Sequence, residues 1–281
     1  MTDITGTDND DVIRTVAAGG SLGGLPNATD AGDHIDPGLG ADTVVAGSGD
    51  DTVASSDGVD SLDGGDGIDT LDFTNAPGGA VIVLGQGDVF GDGYGNTEFA
   101  YNFENALGSD SADDPFLAGS GGANMLDGQG GNDQVYGGGG DDDLRGGTGG
   151  DTLVGEDDSD TLHGGDGSDF LVGGRYESHP ENGSLLLDDG APDTLYGEAD
   201  GDGLVLGDGD VGDGGAGDDY FYFAARDDQP LADQPIAVGT VVFHGNRADF
   251  NIYASDGYLY VEDLVGDGGT DMVGRAVLSP G

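Results

Sequence analysis

From Gly119 to Val172 one aliphatic side chain returns every nine residues: Leu126, Val135, Leu144, Leu153, Leu162 and Leu171. The stretch reads GSGGANMLD, GQGGNDQVY, GGGGDDDLR, GGTGGDTLV, GEDDSDTLH, GGDGSDFLV, six units without a gap. A period of nine is neither the 3.6 of a helix nor the simple alternation of a long strand. It divides into a loop of six residues and a strand of three. Side chains alternate along a strand, so the eighth position of each unit faces inward and its neighbours face out. Two units make one coil of two strands and two loops. Coils stack about 4.8 Å apart, which sets loops 18 residues apart one above the other. The pattern therefore predicts an all-β chain of short parallel strands in tiers.

The same period fills residues 28–72, with Ile35, Val44, Val53, Leu62 and Leu71 as the inward side chains. A lone copy at residues 6–14 offers Asp11 and Ile13. Residues 73–118 break the rhythm. Val81 to Leu84 form a short apolar run, and Phe99, Tyr101 and Phe103 alternate with polar or small residues. That alternation predicts a strand with one aromatic face turned to the core. Repeats lapse again from Arg175 to Leu187, a loop insertion, and resume with Leu195, a ragged stretch at 206–213, and Phe221. Beyond, ordinary β patterning predicts a strand at Val241 and a hairpin of residues 249–253 and 258–261 about the turn pair Asp256-Gly257.

Polar positions repeat as strictly as apolar ones. The sixth place of each unit is an acid: Asp33, Asp42, Asp51, Asp60 and Asp69 in the first block; Asp133, Asp142, Asp151, Asp160 and Asp169 in the second; then Asp193, Asp202 and Asp219. Asn124 stands in that slot at the head of the second block. Glycines at the first, second and fourth places are expected to take φ > 0 and turn the chain. Stacking should set Asp33 by Asp51, Asp51 by Asp69, Asp42 by Asp60, Asp133 by Asp151, Asp151 by Asp169 and Asp142 by Asp160. Carboxylates ~5 Å apart repel by about 1–3 kcal/mol per pair. One aliphatic side chain in nine residues is a thin core to set against the entropy of ordering the rest. Something must cancel the charge. Donors that are all hard oxygen point to Ca²⁺ rather than zinc or copper. Without calcium the composition is that of a disordered acidic linker.

This G-G-x-G-x-D-x-U-x motif, six times in register, resembles the RTX, or haemolysin-type, calcium-binding repeat of bacterial type I secreted proteins. The resemblance implies a right-handed parallel β-roll with each calcium between two loops on one side. Its ligands would be the sixth-position aspartates, Asp11 included, and loop carbonyls such as those of Gly137, Gly139, Gly146 and Gly164. Asn124 and Glu156 depart from the motif, so sites using those loops are expected to be weaker. The phrase NFENALGS resembles a spacer that joins RTX blocks, and FHGNRADFNI a β appendage that follows them. Export by type I secretion machinery into a calcium-rich medium is what the resemblance implies for location.

Composition narrows the partners. Of 281 residues, 61 are glycine, 57 acidic and six basic, all arginine, for a formal charge of -51. Such a surface repels nucleic acid and anionic membranes, so neither is expected as a direct partner. There is no cysteine. The start, MTDITGTDND, lacks the basic and apolar regions of a signal peptide. The end, GTDMVGRAVLSPG, follows the type I secretion signal poorly, so either the signal has diverged or the chain is a piece of something longer. Gly19-Gly20-Ser21-Leu22-Gly23 matches the serine-hydrolase elbow in letters but lacks the flanking strand and helix. None of the four histidines forms an H-E-x-x-H pair. No enzyme is expected.

The organisation expected is an N-terminal segment and first repeat block at 1–72, a β connector at 73–118, a main roll at 119–222 with its insertion at 175–187, and an antiparallel β appendage at 223–281 that holds any secretion signal. Calcium binding coupled to folding after export is the expected activity, with a structural or adhesive surface role. The other reading is the secretion and stability module of an exported hydrolase whose catalytic part lies elsewhere. A protein or glycan partner is not legible in the chain.

Overall fold

A computed structural model describes residues 3–7, 12–14, 31–84, 88–110, 114–179, 183–207, 209–217, 219–223, 225–226, 240–242, 250–255, 258–263 and 270–273. Nearly all the regular structure among them is β, and most of the pairing is parallel. The chain divides into two compact units, Met1–Val135 and Tyr136–Gly281.

In the first unit one sheet is parallel throughout. Its order is Asp3–Thr7, His34–Gly38, Thr52–Ala54, Thr70–Asp72, Asn105–Leu107 and Met125–Asp127. The register is the one the period demands: Ile35 sits by Val53 and Val53 by Leu71. The opposite sheet runs Val12–Arg14, Thr43–Ser48, Ser61–Asp66, Glu98–Tyr101, all parallel. There it changes character. Asp88–Asp92 joins antiparallel, Ala80–Val83 pairs antiparallel with that, and Phe116–Ala118 resumes the parallel direction. The middle region thus lies inside the sheets. Asn105–Leu107 has a repeat strand on each side.

In the second unit Asp143–Thr148, Thr161–Asp166, Thr194–Ala199, Val211–Asp213 and Thr240–Val242 form one parallel sheet. Thr152–Asp157, Phe170–Val172, Gly203–Leu206, Tyr220–Phe223 and Thr270–Val273 form the other. Tyr258–Asp263 and Phe250–Ser255 extend the latter antiparallel, which is the hairpin expected from the sequence. Its turn residues, Asp256 and Gly257, lie outside the described residues. The insertion is not a plain loop: Arg175–His179 and Gly183–Asp188 pair antiparallel.

Every eighth-position aliphatic from Ile35 to Leu195 is fully buried. One expectation fails. Phe99 and Tyr101 do not face the core; they are 45 % and 46 % exposed, while Ala100 and Glu98 are 5 % and 0 %. The period of two was correct and the face was wrong. The register Ala100↔Leu62 places the small residue over the inward leucine, and a one-residue slip would exchange the faces. Phe103, by contrast, is buried.

Candidate metal centre

The sixth-position aspartates face inward. From Asp33 to Asp219 none is more than 4 % exposed; Asp11 lies outside the described residues. Each stack is built by the carboxylates themselves. Asp51 Oδ1 accepts the backbone N–H of Asp33 at 2.7 Å, and Asp60 and Asp69 do the same for Asp42 and Asp51 at 2.8 Å. In the second unit one column runs Asp142, Asp160, Asp193, Asp210, each amide donating to the next Oδ1 at 2.9 Å. The other runs Asp151, Asp169, Asp202, Asp219 at 2.8–3.0 Å. Both columns pass the insertion without losing a tier. Asp133 Oδ1 takes the amide of Asp114 in the first unit.

One oxygen of the carboxylate is thus spent on the backbone. At five of these aspartates the other stands without a partner. Oδ2 of Asp51, Asp69, Asp160, Asp169 and Asp202 is buried with no hydrogen-bond partner. Burial pushes Asp160, Asp193 and Asp202 up to about 8 and Asp69 and Asp169 up to about 6; the upstream amide opposes the shift and the stacked neighbours add to it. Asp51, Asp60 and Asp210 are raised for the same first reason. A buried polar atom without a partner costs about 1–3 kcal/mol, more for a charge, so these oxygens mark places for a ligand.

The glycines frame the same places. Most of those at the second and fourth positions have φ > 0, as at Gly138 (107°) and Gly140 (96°), though Gly58 and Gly122 do not. First-position glycines do not, contrary to expectation; their reason is space. A Cβ on Gly155 would collide with Asp160 Oδ2 and with the carbonyl oxygen of Gly173 in the next tier. Gly146 stands likewise between Asp151 and the carbonyl of Gly164, and Gly137 between Asp142 and that of Gly155. Gly139 ends the strand Gln134–Gly139 and is half-buried. Glu156 and Asp158 keep the left-handed turn at φ 82° and 74°, so the departure at Glu156 leaves the loop geometry intact.

Carboxylate and carbonyl oxygens without nitrogen or sulfur form a hard donor set, which suits Ca²⁺. Among the described residues no three acidic or histidine side chains gather closely enough to hold a metal by themselves. An ion held here would need backbone carbonyl or water oxygens to complete its shell. With six arginines against 57 acids the chain cannot supply the counter-charge itself.

Several functional positions were missed in the sequence. Asp210 occupies the tier after Asp193 in the stretch that looked ragged. Glu104 receives the amide of Asp69 at 2.9 Å and so takes the next slot of that column. Asp114 receives Ser109 N at 2.7 Å. Glu98 is fully buried with both oxygens unpartnered. Burial, then Asp60 and Asp92, push it up to about 9. The available signal was an acid followed two places on by a small apolar residue, as in Glu98-Phe99-Ala100 and Glu104-Asn105-Ala106. Asn124 in the sixth slot accepts Ser120 N at 2.6 Å and donates its Nδ2 to the carbonyl of Glu104 at 2.5 Å.

A tiered parallel β-roll with buried acids lining its loops defines a class of calcium-binding β-solenoid. Residues 36–71, 116–144 and 145–175 match the family described as RTX calcium-binding nonapeptide repeat, in four copies. These segments are similar to that repeat, and calcium binding is the property its description names. No curated protein matches the chain.

Proposed function

We propose that the chain binds several Ca²⁺ ions between loops of neighbouring tiers and that this binding drives its folding after export. The sixth-position aspartates would supply carboxylate oxygens, and loop carbonyls, those of Gly137, Gly139, Gly146 and Gly164 among them, the remaining oxygens. The supporting observation is the row of buried, unpartnered Oδ2 atoms at Asp51, Asp69, Asp160, Asp169 and Asp202. Bound calcium neutralises what otherwise repels. Extracellular calcium modules bind at ~10⁻⁴–10⁻³ M, so such sites stay empty at cytosolic calcium and fill outside. At ten times its dissociation constant each ion adds about 1.4 kcal/mol, and a few ions together reach the ~5–15 kcal/mol of an ordinary domain. The chain is then unfolded and self-repelling during passage through type I secretion machinery and rigid afterwards. Rigid calcium-set tiers suit a structural or adhesive role at a cell surface.

The test is a calcium titration followed by circular dichroism. Coil in chelator and β-structure at millimolar calcium is expected. A β-spectrum of unchanged strength in chelator at pH 8 would remove the coupling.

A further inference from the structure

We propose that Glu98 and Asp60 form a calcium site outside the nonapeptide pattern, with Glu98 in the place that a sixth-position aspartate holds elsewhere. The proposal rests on the calcium-binding reading of the repeats. Its ground is the register of Glu98–Tyr101 on Ser61–Asp66. Phe99 lies opposite Ser61 and its amide donates to Asp60 O at 3.1 Å, as the amide of Ser61 donates to Asp42 O one tier earlier. Glu98 therefore follows Asp42 and Asp60 in the column. It does not repeat their bonding: it is fully buried and neither carboxylate oxygen has a partner.

The register itself is a second, separate observation. A slip of one residue would bury Phe99 and Tyr101 and expose Glu98. The protein does the reverse, exposing two aromatics to keep a carboxylate inside. Hydrophobic burial alone opposes that choice; an ion at Glu98 reverses the balance. The surroundings agree. The charges acting on Glu98 are Asp60 and Asp92, both negative and both buried. Asp92 Oδ1 is already taken by the amides of Tyr94, Gly95 and Asn96, which leaves it as a fixed charge. In this tier a serine replaces the second glycine, and Ser56 Oγ donates to Asp60 Oδ2 at 3.0 Å, so a hydroxyl oxygen is also at hand. Among the described residues no three acidic side chains close on one point. Glu98 would thus offer both its oxygens, with Asp60, the Ser56 hydroxyl, and carbonyl or water oxygens completing the shell.

The experiment counts calcium on the full chain, folded in millimolar calcium and passed into calcium-free buffer, by native mass spectrometry. Glu98→Gln is expected to carry one ion fewer than wild type with the same circular dichroism at saturating calcium. An equal count overturns the proposal. Asp169→Asn is the control for the repeats, and its count should fall whatever Glu98 does; a wild-type chain with no calcium at all sinks the repeat reading instead. Should Glu98→Gln fail to fold, Glu98→Asp and Glu98→Leu decide. Folding restored by aspartate but not by leucine supports the ion, and a leucine variant that folds with the wild-type count overturns it.

Discussion

Asp169 divides its carboxylate between two tasks. Oδ1 holds the amide of Asp151 and Oδ2 is buried and free. Asp169→Ala therefore leaves a buried N–H without its acceptor, a loss of about 1–3 kcal/mol, and removes an ion ligand as well. Asp157, in the loop that leads to Asp160, is half-exposed and pairs with Arg175 at the surface; such pairs contribute at most about 1 kcal/mol. In a calcium titration by circular dichroism, Asp169→Ala should move the midpoint to higher calcium far more than Asp157→Ala. The reverse order would remove the sixth position from the site. Glu156 makes a second prediction. A non-glycine residue at φ 82° is strained, so Glu156→Gly should raise stability by about 0.5–1 kcal/mol, seen as a higher melting temperature at saturating calcium.

Among elements, the loop is the unit that cannot be altered freely, and its glycines differ in kind. Gly155 is fixed by what stands beside it, Asp160 and the next tier's carbonyl, whereas a Cβ on Gly121 would meet nothing within 4 Å. Gly155→Ala should destabilise by about 1–3 kcal/mol through overpacking, and Gly121→Ala should be close to neutral in the same chemical denaturation. Equal effects would mean that the loops relax around an added methyl. This distinction could not be read from the sequence, where both are first or third letters of one motif. The tiers could be. Leu144, Leu153 and Leu162 are all fully buried as the period requires, because alternation along a strand is a local rule. The face of Glu98–Tyr101 was hidden because two faces of a period-two strand are equivalent until a neighbour fixes the register.

For the whole molecule the governing quantity is charge. In the metal-free chain the folded-state values of Asp69 and Asp169 stand at about 6, and those of Asp160, Asp193 and Asp202 at about 8, all above the ordinary aspartate value of about 4. The folded state then binds more protons than the unfolded one. Stability from these groups is fully present below about pH 4 and is lost as pH rises through about 6 to 8. In chelator the chain should show more β-structure at pH 4–5 than at pH 8, and millimolar calcium should restore it at pH 8. A chelated chain that folds better at pH 8 than at pH 4.5 would contradict this.

The sequence by itself determined the period, the inward aliphatics, the acids of the tiers and the hard oxygen chemistry, since each depends only on spacing and residue type. Tertiary structure decided which oxygen of Asp51, Asp69, Asp160, Asp169 and Asp202 is left without a partner, that Asp210 and Glu104 continue columns which looked broken, and that Glu98 rather than Phe99 lies inside. Those outcomes depend on which strands meet and in what register, and hydrogen bonds between tiers fix that only once the chain has stacked.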